Sequence, residues 1–84
     1  PIRLKIYIVH PDFYCLNLRT RQEFIWEHFG MMDDLEYAQN AVSKIQSYQK
    51  NGYFPGKNLI TTFETKTSPI STKQIEQIAR EYLL

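Results

Sequence analysis

The sequence predicts a small α+β domain, and three features of the chain support this fold class. Aliphatic residues alternate with other residues between Ile2 and Val9, as in a strand with one buried face. In two later segments the apolar residues recur at helical spacing, and each segment is preceded by residues that are typical helix N-caps. A chain of 84 residues has room for one hydrophobic core, so residues 1–84 are predicted to form a single domain.

The predicted architecture is a small antiparallel or mixed sheet, built from an N-terminal hairpin plus a third strand, with two to three helices packed on one face. The first strand covers residues 2–9 and ends at the turn around Pro11, which lacks an amide proton. A second alternating segment, Phe13–Arg19, is expected to complete the hairpin. The third strand is expected over residues 58–66.

Residues 20–32 are compatible with two structures. Thr20 and Glu23 have the spacing of a capping box, and a helix from there would bring Ile25 and Phe29 onto one face. The same segment also alternates as a strand does. We favour a short helix, with a strand as the alternative.

The other two helices have clear ends in the sequence. The first is predicted to begin at Asp33 as its N-cap and to end at Asn51-Gly52, a pair that tolerates left-handed backbone. The second begins at Ser71, and Gln74 completes its capping box. Its buried stripe is expected to consist of Ile75, Ile78, Ala79 and Tyr82.

The net charge of +1 indicates no general affinity for nucleic acid, but the order of the charges is informative. Residues 22–43 contain five acidic residues and no lysine or arginine. Asp33, Asp34 and Glu36 therefore form either an acidic surface or a group that complements a helix dipole. A single cysteine, Cys15, is typical of a reducing compartment, and we expect a cytoplasmic protein without a membrane span.

The residue types that carry chemistry are few. His10, Asp12, Cys15 and His28 are types that bind metals, but they lack the paired short spacing of zinc sites. Three glycines in the whole chain do not provide a glycine-rich phosphate loop. We expect no metal, no cofactor and no enzymatic activity.

One resemblance gives an enzymatic alternative. Pro1 followed directly by a strand is similar to the start of the tautomerase superfamily. The resemblance implies that Pro1 would act as an acid/base group, with Arg3 and Arg19 available to hold a substrate. It covers Pro1, Ile2 and the first strand alone. That family continues with strand, helix and strand, whereas here a second strand-like segment precedes any helix.

Two surfaces are candidates for binding. Tyr53, Phe54 and Pro55 lie between two glycines and belong to the residue types that anchor protein interfaces, although such aromatic residues also fold back onto a core. Together with Asp33, Asp34 and Glu36, these loop residues suggest that the chain is a small, non-catalytic regulatory module that binds a protein partner. Self-association through an edge strand is compatible with this hypothesis.

The alternative function is binding of RNA or DNA. Arg3, Lys5 and Tyr7 would share one face of the first strand, opposite its aliphatic residues. Arg19 ends the second predicted strand and Arg21 follows it, and both would extend that basic surface. A solvated outer face with extended side chains is the structural alternative for these residues.

Overall fold

The computed structural model describes residues 2–3, 8–9 and 11–84, and its central feature is a mixed three-stranded sheet. The strands are β1 (Ile2–Arg3), β2 (Ile8–Val9), β3 (Phe13–Leu16), β4 (Glu23–Phe29) and β5 (Leu59–Phe63); the helices are α1 (Leu35–Lys50) and α2 (Thr72–Leu83). The sheet has the order β3-β4-β5, with β4 antiparallel to β3 and parallel to β5. Neither helix of the described residues is long and apolar enough to cross a membrane.

Helix α1 connects the two parallel strands and covers one face of the sheet. Parallel neighbours need such a crossover, because a tight turn can join only antiparallel strands. Tyr48 of α1 packs with Ile25 of β4 and Leu59 of β5, and these three residues are at most 1% exposed. We call the side of the sheet that bears Ile25 the α1 face.

Helix α2 covers the opposite side, which we call the α2 face. Phe24, Trp26 and Ile60 form a second buried cluster there. Ile78 and Tyr82 of α2 pack against this cluster but are themselves only half-buried. The α+β class with a small mixed sheet and two helices is thus confirmed. The expectation that the helices share one face is wrong, because β4 carries large apolar side chains on both of its faces and each face needs its own cover.

The segment predicted as a short helix is strand β4. Its buried side chains alternate between the two faces of the sheet, as in a strand. The helical spacing of the same residues, which favoured a helix, is not used in the fold. Its hairpin partner is β3, with a register that runs from Phe13↔Trp26 to Leu16↔Glu23. The predicted hairpin between residues 2–9 and Phe13–Arg19 is therefore wrong. Strand β1 pairs instead with β2, antiparallel, and residues 4–7 of the predicted first strand lie outside the described residues.

Strand β3 ends at Leu16, three residues before the predicted end, because Asn17 closes a turn. Its side-chain oxygen accepts the backbone N–H groups of Arg19 and Thr20, at 2.9 and 3.1 Å. Its side-chain nitrogen donates to the carbonyl of Tyr82 at 2.9 Å. Asn17 is 5% exposed, so these hydrogen bonds satisfy a buried amide and join the β3–β4 turn to the end of α2.

The helix caps agree with the sequence at α2 and differ by one residue at α1. Ser71 and Gln74 form the predicted capping box. The N-cap of α1 is Asp34, whose Oδ1 accepts the Tyr37 N–H at 2.9 Å, and not Asp33. Asp33 accepts a weaker hydrogen bond from the Lys66 N–H at 3.3 Å. Two adjacent aspartates made the cap position ambiguous by one residue.

This cap assignment is testable by alanine substitution. Asp34→Ala should lower the free energy of unfolding by about 1 kcal/mol, because it leaves a backbone N–H of the first turn without its acceptor. Asp33→Ala, the matched control, should cost a small fraction of that. Urea unfolding followed by circular dichroism gives both values, and equal losses would contradict the assignment.

Candidate functional site

A cleft of about 470 Å³ lies on the α1 face of the sheet. Tyr14 of β3 and Glu23 of β4 line one side of it. Tyr53, which follows α1, lines the other side together with Lys57. We call this cavity the Tyr14–Tyr53 cleft. It combines aromatic rings, a carboxylate and an ammonium group, the side-chain types that orient a ligand or a peptide.

Tyr53 reaches the cleft because α1 ends in a tight turn. The N–H groups of Gly52 and Tyr53 donate to the carbonyls of Gln49 and Tyr48, and Gly52 has a φ of +89°, which favours glycine. The Tyr53 ring then lies edge-on against Tyr48, with ring centroids 5.9 Å apart. Tyr53 is therefore half-buried on the core, while Phe54 remains 45% exposed.

Tyr14 and Glu23 form a polar pair at the opposite wall. The Tyr14 hydroxyl donates to Oε2 of Glu23 at 3.1 Å. Desolvation, followed by the hydrogen bond to this carboxylate, raises the pKa of Tyr14 above its ordinary value. The hydroxyl thus stays protonated at neutral pH, and it holds the carboxylate against the wall of the cleft.

The side chains of β3 are apolar and exposed on both faces of the strand: Tyr14 and Leu16 lie on the α1 face next to the cleft, and Phe13 lies on the α2 face, edge-on to Trp26. Phe13 is 60% exposed, Tyr14 56%, Leu16 40% and, just beyond the strand, Leu18 73%. We call these four residues the β3 surface. No charged residue occurs between positions 13 and 18. Cys15, on the α2 face of the same strand, is half-exposed, and burial raises the pKa of its thiol above the ordinary value.

The structure separates the two parts of the predicted protein-binding surface. Asp33, Asp34 and Glu36 are exposed at the start of α1, whereas Phe54 and Pro55 are exposed beyond its end. The helix has 16 residues, and at 1.5 Å per residue it is about 24 Å long. The acidic residues and the aromatic loop therefore do not form one contiguous site.

The residues of the basic surface are only partly described. Arg19 and Arg21 are exposed in the turn between β3 and β4, and the guanidinium of Arg19 donates to the carbonyl of Leu84 at 3.1 Å. Arg21 has a φ of +64°, a conformation uncommon for residues other than glycine. The side chains of Pro1, Arg3, Lys5 and Tyr7 lie outside the described residues, so the predictions that involve them stay predictions.

The residues whose types can bind metals do not come together within the described part of the chain. His10 lies outside it, and the side chain of Asp12 accepts the backbone N–H of His28 at 2.7 Å. Cys15 packs toward Phe24 on the α2 face. No group of three or more His, Cys, Asp or Glu side chains that could hold a metal ion occurs in residues 11–84.

A second polar network, on the α2 face, is centred on His28. Its Nδ1 lies 2.8 Å from Thr62 Oγ1, and its Nε2 lies 2.7 Å from Glu64 Oε1. Thr62 Oγ1 also accepts the indole N–H of Trp26 at 3.1 Å. One set of donors and acceptors connects the whole network: Trp26 donates to Thr62, Thr62 to Nδ1, and Nε2 to Glu64.

This network has the hydroxyl–imidazole–carboxylate order of a catalytic triad. Thr62, however, is 4% exposed and sits between β4 and α2. Glu64 extends the network by accepting the Ile70 N–H through Oε2 at 2.9 Å, just before α2 begins. We interpret it as a polar clamp that fastens the end of β5 and the start of α2 to β4.

The clamp predicts how stability depends on pH. The Ile70 N–H and then His28 lower the pKa of Glu64, so its carboxylate stabilises the fold at pH values above the pKa of the unfolded chain. That contribution is lost as the pH falls through the lower folded-state pKa. Glu64→Gln should therefore show a shallower loss of stability on acidification, measured by urea unfolding across a pH series. An unchanged slope would contradict the clamp.

The two loop aromatics should differ in their contribution to stability. Tyr53→Ala removes a half-buried ring from Tyr48 and should lower the free energy of unfolding by about 2 kcal/mol. Phe54→Ala, its neighbour and control, should change it by less than about 0.5 kcal/mol, because that ring is largely solvent-exposed. Thermal and urea unfolding measure both variants. A larger loss for Phe54→Ala would show that it, and not Tyr53, packs on the core.

Comparison of the chain with protein-family models, with curated proteins and with solved structures gives no match. The residues just described are therefore the basis on which a function can be proposed. Of these, the β3 surface and the Tyr14–Tyr53 cleft are adjacent, share Tyr14 and offer the most exposed apolar side chains on one strand.

Proposed function

We propose that this chain is a non-catalytic protein-binding module that contacts its partner through the β3 surface and the adjoining Tyr14–Tyr53 cleft. The observation that carries the proposal is the exposure of Phe13, Tyr14, Leu16 and Leu18 along six consecutive positions without a charge. Exposed apolar residues scattered singly are normal, but Tyr14 and Leu16 are neighbours on the α1 face, and such an apolar patch is typical of an interaction site.

The chemistry of β3 supports a specific contact. Strands at the edge of a sheet, the position of β3 in the described β3-β4-β5 sheet, often carry lysine or other charged residues, which discourage association. β3 instead carries Phe13, Tyr14 and Leu16, and aromatic residues are enriched in the centres of protein interfaces. A partner that covers this strand removes apolar side chains from water, which favours binding.

The cleft adds polar groups beside this apolar strand. Glu23 and Lys57 bring opposite charges to it, and the hydroxyl of Tyr14 fixes the Glu23 carboxylate. Such groups select a partner with complementary charges, while the apolar contact provides most of the affinity. A regulatory role in the cytoplasm belongs to the same proposal, supported by the single cysteine.

A matched pair of variants tests the proposal. Leu16→Ser should abolish retention of the partner on the immobilised chain, because it places a hydroxyl in the centre of the apolar contact. Val42→Ser is the control, since Val42 is an exposed apolar residue of α1 with 51% exposure, against 40% for Leu16. Both variants should keep a melting temperature close to that of the unchanged chain.

The partner is identified by photo-crosslinking from position 14, which lies on the same face as Leu16, in extracts of the native host. The proposal requires one crosslinked protein that is lost in Leu16→Ser and kept in Val42→Ser. It is overturned if both variants retain the same proteins, or if the crosslink depends on nucleic acid and disappears with nuclease. Binding by the β3 surface should also persist at raised salt, whereas contacts to phosphates weaken steeply.

A further inference from the structure

Strand β5 is one edge of the β3-β4-β5 sheet, and no other strand of the described residues pairs with its outer side. In a parallel pair, alternate residues direct both backbone groups toward the neighbouring strand, and the residues between them direct both groups away. The carbonyl of Asn58 accepts the Ile25 N–H at 3.0 Å, and the N–H of Glu64 donates to the carbonyl of Phe29 at 2.9 Å. The even-numbered residues of β5 therefore bond to β4, and the backbone groups of the odd-numbered residues point outward.

The chain itself closes both ends of this outer edge. At the start of β5, the N–H of Leu59 donates to the carbonyl of Phe54 at 3.2 Å, and its carbonyl accepts the Gly56 N–H at 3.0 Å. Beyond the end of β5, Thr65 and Ser68 exchange two backbone hydrogen bonds of 3.2 Å. The open part of the edge is thus limited to the odd-numbered residues between these two closures.

Thr61 and Phe63 form this open part, which we call the β5 edge. Their N–H and C=O groups have no hydrogen bond to any other residue that the structure describes. An extended peptide that joins the sheet as a further strand would give all of these groups a partner. It would also cover the ring of Phe63, which stacks on Phe29 but is still 47% exposed.

A cavity of about 340 Å³ lies next to the β5 edge, between β5 and α2, and we call it the β5–α2 groove. Thr62 and Phe63 line it from the sheet, and Pro69, Ile70 and Ile78 line it from α2 and the segment that leads into this helix. None of the described residues that line it carries a charge. A cavity of about 150 Å³ can hold benzene, so this groove has room for a branched aliphatic side chain.

The pairing determines which side chain of a peptide would enter the groove. Thr62 lies on the α2 face, where its hydroxyl accepts the indole N–H of Trp26. In an antiparallel strand, the residue opposite Thr62 has its side chain on the same face, beside the groove. Because the lining is uncharged, burial of a charged side chain there would be costly, whereas an apolar side chain gains free energy by leaving water.

A second copy of β5 fits this edge less well than a separate peptide. To use the same backbone groups, the two copies would pair around Thr62, so that Thr65 of one copy came opposite Leu59 of the other. The outer side of Leu59 is already occupied by the loop at Gly56, and the turn at Thr65 would collide with this loop. A peptide that ends after a few residues has no such turn.

We propose that the β5 edge and the β5–α2 groove bind an extended segment of a partner protein, which joins the sheet as an antiparallel strand and places an apolar side chain in the groove. This binding is independent of the contact proposed above. β5 is the opposite edge of the sheet from β3, and the groove shares no lining residue with the Tyr14–Tyr53 cleft.

The probe is the peptide acetyl-Thr-Val-Leu-Val-Thr-amide, added to the full chain labelled with ¹⁵N. Its valines should pair with Phe63 and Thr61, and its leucine should enter the groove beside Thr62. The expected result is saturable amide shifts in β5 and in residues 68–78, with slowed hydrogen exchange of the Thr61 and Phe63 amides. In the free chain these two amides should exchange quickly, because no described residue accepts their hydrogen bonds.

Modified peptides distinguish strand addition from a non-specific apolar contact. N-methylation of both valines removes the N–H groups that donate to β5 and should weaken binding about tenfold or more. N-methylation of the leucine, the matched control, changes an N–H that points away from β5 and should leave the affinity unchanged. Replacement of the leucine by lysine should also weaken binding about tenfold, because its charge would be placed in an uncharged groove.

Three variants of the chain complete the test. Thr61→Pro removes one outward N–H from an edge strand, where proline is tolerated, and should weaken peptide binding. Thr61→Val keeps this N–H and is the control. Leu16→Ser alters the β3 surface and should leave peptide binding unchanged, so that failure of either proposal can be recognised separately.

The proposal is overturned if the peptide gives no saturable shift, if the shifts fall on β3, or if the peptide with methylated valines binds as tightly as the unmodified one. It is also overturned if the Thr61 and Phe63 amides are already protected in the free chain, because the edge would then be covered by another part of the chain. A dimer of the free chain that Thr61→Pro dissociates would identify a second copy as the occupant, and would overturn the proposal as well.

Discussion

Strand β4 must be buried on both faces, and the rest of the fold follows from this constraint. Its side chains alternate between two separate apolar clusters, one against α1 and one against α2. Neither helix can be removed without exposing one side of the central strand. Two polar side chains of β4 face inward, and each has a hydrogen-bond partner: Glu27 has Tyr48, and His28 has Thr62. Burial of these groups without partners would cost roughly several kcal/mol per group.

The sequence predicted correctly those helix ends that are formed by residues close together in the chain. The capping box of α2 and the turn after α1 are local, so Ser71 and Gly52 indicated them correctly. β4 was mistaken for a helix because Phe24, Ile25 and Phe29 satisfy both periods, and only the pairing with β3 and β5 distinguishes them. The pairing of β3 with β4 could not be read from the sequence either. The hairpin is therefore formed by β3 and β4, and not by residues 2–9 and Phe13–Arg19 as predicted.

The candidate sites were predicted less completely, for a similar reason. Tyr53 was singled out from its loop, but its partner across the cleft, Tyr14, had been treated only as part of an alternating strand. The acidic run from Glu23 to Glu36 suggested one negative surface. In the fold its members have different surroundings: Glu23 lines the cleft, Glu27 is buried, and Asp34 caps a helix. Charge order along a chain does not predict which carboxylates will lie side by side in space.

The hydrogen bond from Asn17 to Tyr82 has a consequence for the order of folding. It joins residues 65 positions apart, so the turn between β3 and β4 gains its last contact only when the final helix has docked. Contacts of such long sequence separation form late, since the entropy of closing the intervening chain must first be overcome. During synthesis, β3 and β4 would therefore leave the ribosome well before the α2 face can close, with Phe24 and Trp26 uncovered during that interval.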